Sequence, residues 1–223
     1  MITSRDNTKL ALVRKLQQRK HRDETGLFAV EGEDLVAAAS AAGIEPVELL
    51  VAGKTVLPEL LAAVSTLPHP ARVIGVYRGA DLPTSRRETV LALWEVGDPG
   101  NVGTLLRTAD AFGAGVALSP GCADPLGPKA LRASAGAVFR VPLLAWDDAP
   151  GRKVALVAHG GLPLADLHLA PPVTLYLGSE RAGLPDSLVA SCERATILLP
   201  GAAESLNVAA AAAIALYELS RPG

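Results

Sequence analysis

The sequence predicts an α/β protein: a mostly parallel sheet flanked by helices, preceded by a small α/β domain. Three observations carry this. Strand-like and helix-like segments alternate along the chain. Val90-Leu91-Ala92-Leu93 and Val173-Thr174-Leu175-Tyr176-Leu177 are apolar on both faces, as strands covered by helices on two sides must be. Loops rich in Gly, Pro, Asn and Ser follow three of these strands, at the edge where such sheets bind ligands.

The elements follow in order. Between residues 7 and 20, Leu10, Val13 and Leu16 recur at helical spacing while Arg14, Lys15, Arg19 and Lys20 face elsewhere, which predicts one basic amphipathic helix. After a turn at Gly26 come a strand over 27–30 and an Ala-rich helix over 32–42 closed by Gly43. A strand over 47–51, a helix over 57–65 and a strand over 72–77 complete the small layer. Residues 78–88 combine Gly, Pro, Ser and charge without periodicity. They divide the chain into a domain over 1–78, a linker over 79–88 and a larger domain over 89–223. There, strands are expected near 89–95, 115–118, 138–143, 153–158, 173–177 and 195–199. Helices are expected near 102–112, 127–135, 185–192 and 205–219.

Composition narrows the function classes. Of 223 residues, 49% are apolar and 20% charged, which excludes a disordered chain. The longest apolar run, Val208 to Tyr217, falls short of the roughly 20 residues that span a bilayer, and no secretory signal opens the chain. A cytoplasmic protein is expected. Cys122 and Cys192 fit neither a disulfide framework nor a thiol metal site, and the four histidines are scattered, so no metal is expected. The net charge of −2 hides an asymmetry. Residues 1–22 hold seven basic side chains against Asp6 alone, leaving +6 there and −8 in the remainder. Such a segment is a solvated helix face or a phosphate-contacting surface.

The first special loop is Asp98-Pro99-Gly100-Asn101. Pro99-Gly100 suits the centre of a type II turn and Asn101 a helix N-cap. Val102, Leu105, Leu106, Ala109 and Phe112 trace the buried stripe of the next helix, and Arg107 falls off it. Arg107 is then a solvated arginine or a cation that holds phosphate and stabilises an oxyanion. In the second loop, Gly178 lets a ligand approach the backbone, Gly183 supplies positive φ, and Glu180 either pairs with an arginine such as Arg181 or acts in a site. In the third, Glu204, Ser205 and Asn207 gather at a helix N-terminus, where Ser205 is an N-cap or a site residue.

Three stretches, DPGNVGTLLRTADAFG (98–113), LGSERAGLP (177–185) and ILLPGAAESLNVAAAAAIALYE (197–218), resemble in order and spacing the three motifs of the SpoU (TrmH-type) RNA ribose 2′-O-methyltransferases of the SPOUT superfamily. KALRASAGAVFRVPL (129–143) resembles the family's segment between the first two motifs. ITSRDNTKLALVRKL (2–16) and FAVEGEDLV (28–36) resemble the substrate-binding domain that precedes many such enzymes. Leu198 and Ala202 stand where relatives often carry a proline and a basic residue, and the small domain is shorter than usual.

The resemblance implies S-adenosylmethionine as cofactor, a C-terminal trefoil knot, a homodimer, and RNA as partner, with ribosomal RNA favoured over transfer RNA. It also implies that Gly178, Ile197, Leu199, Gly201 and Leu206 bind the donor, and that Asn101, Arg107, Glu180, Ser205 and Asn207 form the catalytic group. A guanidinium rarely gives up its proton, so the expected part of Arg107 is to stabilise the developing alkoxide and position a phosphate. Ser205, Asn207 or a water is left to accept the proton. Other chemistries fit less well. Gly113-Ala114-Gly115 follows a helix rather than opening one, unlike a dinucleotide loop, and Ser179 lacks the G-x-S-x-G elbow. The basic first 22 residues favour RNA over a small acceptor.

Overall fold

The computed structural model describes residues 1–221. Helix α1 (Thr8–Leu16) buries Leu10, Val13 and Leu16 as its spacing predicts, and Asn7 caps it by accepting from the Lys9 N–H at 2.9 Å. The basic segment is not one helix. Gln18 is extended (φ −99°, ψ 134°), and a second helix, α2 (Arg19–Thr25), starts after it and ends at Gly26 in the left-handed region. The break turns Arg22 inwards. It is 6% exposed, which removes it from the expected basic face. Lys9 pairs with Glu48 at 2.7 Å, so the free cations of this face are fewer than the sequence suggests.

Strands β1 (Leu27–Glu31), β2 (Glu48–Val51) and β3 (Val73–Arg78) form an antiparallel sheet of order β1-β3-β2. The apolar residues of α1 and of α4 (Pro58–Ala62) pack with Leu50, Ile74 and Val76. Helix α3 (Glu33–Ala41) packs Leu35 and Ala39 with Phe28, Val30 and Tyr77.

The larger sheet is parallel throughout, in the order β6-β5-β4-β9-β7-β10-β8. Its elements run β4 (Thr89–Leu93), α5 (Pro99–Ala111), β5 (Gly115–Leu118), α6 (Pro128–Ser134) and β6 (Leu143–Leu144). They continue as β7 (Arg152–Leu156), β8 (Leu162–Pro163), β9 (Val173–Leu177), α7 (Asp186–Val189), β10 (Glu193–Thr196) and α8 (Val208–Ser220). Leu91, Leu93, Leu175 and Leu177 join the core under α5 and α8, while Val90, Ala92 and Tyr176 line the opposite face.

Two expectations for this domain need correction, and one strand is new. The strand expected over 138–143 is a short helical turn, Ala137–Phe139, followed by the two-residue β6. Val138 and Phe139 are apolar because they pack against the N-terminal sheet, where the Phe139 ring lies 5.3 Å from Tyr77 and 6.0 Å from Phe28. Phe112, expected on the buried stripe of α5, is 37% exposed because it lies past the last turn at the C-cap. An unexpected edge strand, β8, pairs Leu162 and Pro163 with β10; its proline is tolerated at the sheet edge.

The two sheets share a seam. Leu82 of the connecting segment is buried in it beside Leu131 of α6, Phe28 and Tyr77, and burial pushes the Tyr77 phenol up, with Glu45 adding to the shift. Arg132 on α6 donates to Thr66 Oγ1 at 3.1 Å, and Thr66 and Ser65 together satisfy the buried Glu31 carboxylate. Among the described residues no helix is long and apolar enough to cross a membrane.

Candidate active site

The first loop turns into α5 earlier than expected. Asp98, not Asn101, is the N-cap: its Oδ1 accepts from the Asn101 N–H at 2.9 Å, and Pro99 takes the first helical position, where its missing N–H costs nothing. Asp98 Oδ2 accepts from Lys129 Nζ at 2.8 Å. The Lys129 hydrogen bond first, and the Asn101 N–H second, hold the Asp98 carboxyl below the usual carboxylate value. Asn101 is thereby released from capping, and its side chain points into a network.

That network joins the three loops. Asn207, the N-cap of α8, accepts from the Ala209 N–H through Oδ1 at 2.9 Å. Its Nδ2 is therefore the end that meets Asn101, donating to Asn101 Oδ1 at 3.2 Å. Asn101 Nδ2 in turn donates to Glu180 Oε1 at 2.5 Å. One helix cap thus fixes the direction of both amides and makes Glu180 the acceptor at the end of the chain. Glu180 pairs with Asn101 rather than with Arg181 or another arginine.

An open cavity of about 340 Å³ lies at the carboxyl ends of β7, β9 and β10. Gly178, Ile197, Leu199 and Leu206 line it, together with Glu180 and Ser205. Gly201 does not line it, and Asn101, Asn207 and Arg107 stand outside it. Asn101 and Asn207 reach the cavity through Glu180. Arg107 is exposed on α5, and its side chain makes no hydrogen bond or ion pair to another described residue. Ser205 is exposed and is not a helix cap, since α8 starts after Asn207.

Sequence reasoning misses Leu156, Val157 and Ala158, which form the wall after β7. The rule that ligands bind at strand carboxyl ends, together with the His159-Gly160-Gly161 turn that follows them, would have found them, but all three are apolar and carry no chemistry that draws attention. The second loop folds back on itself: the Gly183 N–H donates to Ser179 O at 2.9 Å, with Gly183 at φ +66°. A side chain on Gly178 would run into the Gly183 backbone, so only glycine fits there. The cavity offers apolar walls and close backbone, with Arg181, Glu180 and Glu204 also on its lining. That donor set suits a ligand with an apolar ring system, a carboxylate and a cationic centre.

Residues 88–217 match the family model of the SpoU rRNA Methylase family, and residues 7–89 match the MRM3-like substrate binding domain. Over 243 aligned residues, covering 98% of each chain, the protein is 32% identical to the 23S rRNA (guanosine(2553)-2'-O)-methyltransferase RlmP of Bacillus subtilis. The AdoMet-bound rRNA methyltransferase from Sinorhizobium meliloti superimposes with a TM-score of 0.85 and 33% identity, over 98% of this chain and 96% of that one. The SpoU methyltransferase AviRb from Streptomyces viridochromogenes, in complex with AdoMet, gives 0.83 and 26% over 96% and 97% of the two chains. With a family model covering more than half of its residues and a relative aligned along nearly its whole length, the chain belongs to the SpoU rRNA Methylase family.

Proposed function

We propose that this protein uses S-adenosylmethionine to methylate a ribose 2′-hydroxyl of ribosomal RNA. The observation that carries the reading is the Asn207–Asn101–Glu180 chain, which joins three separate loops beside a cavity fit for the donor. Family membership and the 23S rRNA relative support the choice of substrate. Gly178, Ile197, Leu199 and Leu206 would hold the donor through backbone and apolar walls, with Gly201 in the adjoining loop. When bound, the donor supplies an electrophilic methyl group.

The chain's own residues do the rest. Arg107, cationic at any physiological pH, binds the phosphate beside the target ribose and stabilises negative charge on the 2′ oxygen. Ser205 on the cavity lining hydrogen-bonds the ribose, and Asn101 and Asn207 keep the three loops in register. Residues 1–78 form the RNA-docking domain, joined through 79–88 to the catalytic domain over 89–223. The exposed cations Arg5, Arg14 and Lys15 suit phosphate contact. The C-terminal segment is read as a trefoil knot, on family membership and the adjacency of parallel β7, β9 and β10. A homodimer is favoured by Ile214 and Tyr217, 38% and 57% exposed on α8. A ribosomal RNA substrate puts the protein in the cytoplasm.

The test incubates the protein with radiolabelled S-adenosylmethionine and, separately, unmodified ribosomal and transfer RNA, then digests the labelled RNA with alkali. An alkali-resistant labelled dinucleotide from ribosomal RNA is expected, because a methylated 2′ oxygen no longer attacks its phosphate. Label confined to transfer RNA, or to alkali-labile nucleotides, overturns the reading. Sedimentation of an active monomer overturns the dimer.

A further inference from the structure

We propose that Glu180, a residue of the cavity lining whose Oε1 is held by Asn101 and whose Oε2 has no hydrogen bond to a described residue, is the group that takes the ribose proton. This rests on the function proposed above and adds the identity of the base. The other members of the site are unsuited to the task. Arg107 is a permanent cation. Asn207 spends its amide oxygen on the α8 cap and turns donors towards the site. Ser205 would need an acceptor of its own, and none is bonded to it among the described residues. Glu204 also lines the cavity, but no hydrogen bond to a described residue fixes its carboxylate. No histidine lines the cavity.

Glu180 differs from all of these in being both anionic and oriented. The Asn207 cap sets Asn101, and Asn101 holds one carboxylate oxygen, so the Glu180 carboxylate is ordered before the reaction begins. The step balances as follows. The 2′ oxygen bonds to the methyl carbon, the methyl–sulfur bond breaks with its electron pair left on the neutral thioether, and the hydroxyl proton passes to Glu180 Oε2 and then to solvent. A carboxylate suffices as acceptor because the hydroxyl becomes strongly acidic as the O–C bond forms.

Glu180→Gln keeps an oxygen for Asn101 and the side-chain shape, and removes the proton acceptor. With excess enzyme on 23S rRNA transcript, its single-turnover rate is expected to fall by about 100-fold or more. Because Glu180 lines the donor cavity, the rate is read at saturating donor, and calorimetry should find any loss of donor affinity far smaller than the loss of rate. A second measurement reads binding alone. With S-adenosylhomocysteine present, wild type should prefer an RNA fragment with a ribose at the methylated position over its 2′-deoxy form by about fivefold, the worth of one hydrogen bond. Glu180→Ala should lose that preference. A Glu180→Gln rate within threefold of wild type, a lost donor affinity that accounts for the rate, or an unchanged preference in Glu180→Ala each overturns the proposal. A wild-type protein that labels no ribose defeats the parent reading instead, so the two failures are distinguishable.

Discussion

Arg22, which is buried, and Asp124, which is partly buried, lie 102 residues apart and form an ion pair that ties the N-terminal helices to the loop ahead of α6. Arg22 Nε and Nη2 reach Asp124 Oδ2 at 2.9 and 2.5 Å, Nη1 donates to Leu16 O at 2.6 Å, and the other carboxylate oxygen accepts from the Leu126 N–H. Each guanidinium nitrogen of Arg22 and each carboxylate oxygen of Asp124 thus has a partner, so the pair ties the N-terminal helices to the loop that leads into α6.

Removing one partner leaves a buried charge unpaired. Arg22→Met or Asp124→Leu is therefore expected to cost about 3 kcal/mol or more of stability, measured by urea unfolding. Making both changes together should recover much of that loss. A double variant no more stable than the single ones would show that the pair acts through specific geometry and not through charge satisfaction.

Gly103 offers a test in which two effects oppose each other. Alanine gains roughly 1 kcal/mol of helix propensity over glycine. In α5, however, an added Cβ would sit 2.6 Å from Ala133 Cβ and 3.0 Å from the Ser134 nitrogen of α6. Overpacking of this kind costs about 1–3 kcal/mol. Because the obstacle includes backbone, the cost should win: Gly103→Ala should unfold at lower urea and methylate more slowly as Asn101 shifts. A raised urea midpoint would show that α5 and α6 separate freely.

How much of this the sequence reveals depends on distance along the chain. β9 matches its expected span over 173–177, and β5 its span over 115–118, because strands apolar on both faces bounded by turn residues need no partner to be recognised. The three site loops are equally visible, since tight turns demand Gly, Pro and Asn locally. The break at Gln18 is not, because its purpose, the seating of Arg22, depends on Asp124. Nor is the work of Asn101. Asp98 and Asn101 are both good caps, and only the Asn207 and Glu180 partners, 106 and 79 residues away, show which one is freed for the site.

Arg107 separates function from folding. It is exposed and unpaired among the described residues, so Arg107→Lys should leave stability within about 0.5 kcal/mol of wild type. The compact ammonium lacks the fork that binds a phosphate and an oxyanion together, so single-turnover methylation should fall by about 100-fold. Near-normal turnover would remove bidentate positioning from the mechanism.

The Asp98–Lys129 pair makes a pH prediction of definite sign. Its partners hold the Asp98 carboxyl below its ordinary value, so the folded state favours the ionised form. Such a group adds stability at pH above the unfolded value of about 3.9, and that support disappears as pH falls through the lowered folded value. Asparagine caps a helix as well as aspartate but carries no charge for Lys129. Wild type should therefore exceed Asp98→Asn in urea midpoint at neutral pH, with the gap closing as acid protonates Asp98. The Lys129 and Asp98 side chains are 59% and 46% exposed, so the gap should also shrink in molar salt. A gap that stays constant from neutral to acid pH would mean that the cap alone, and not the charge on Asp98, supports the start of α5.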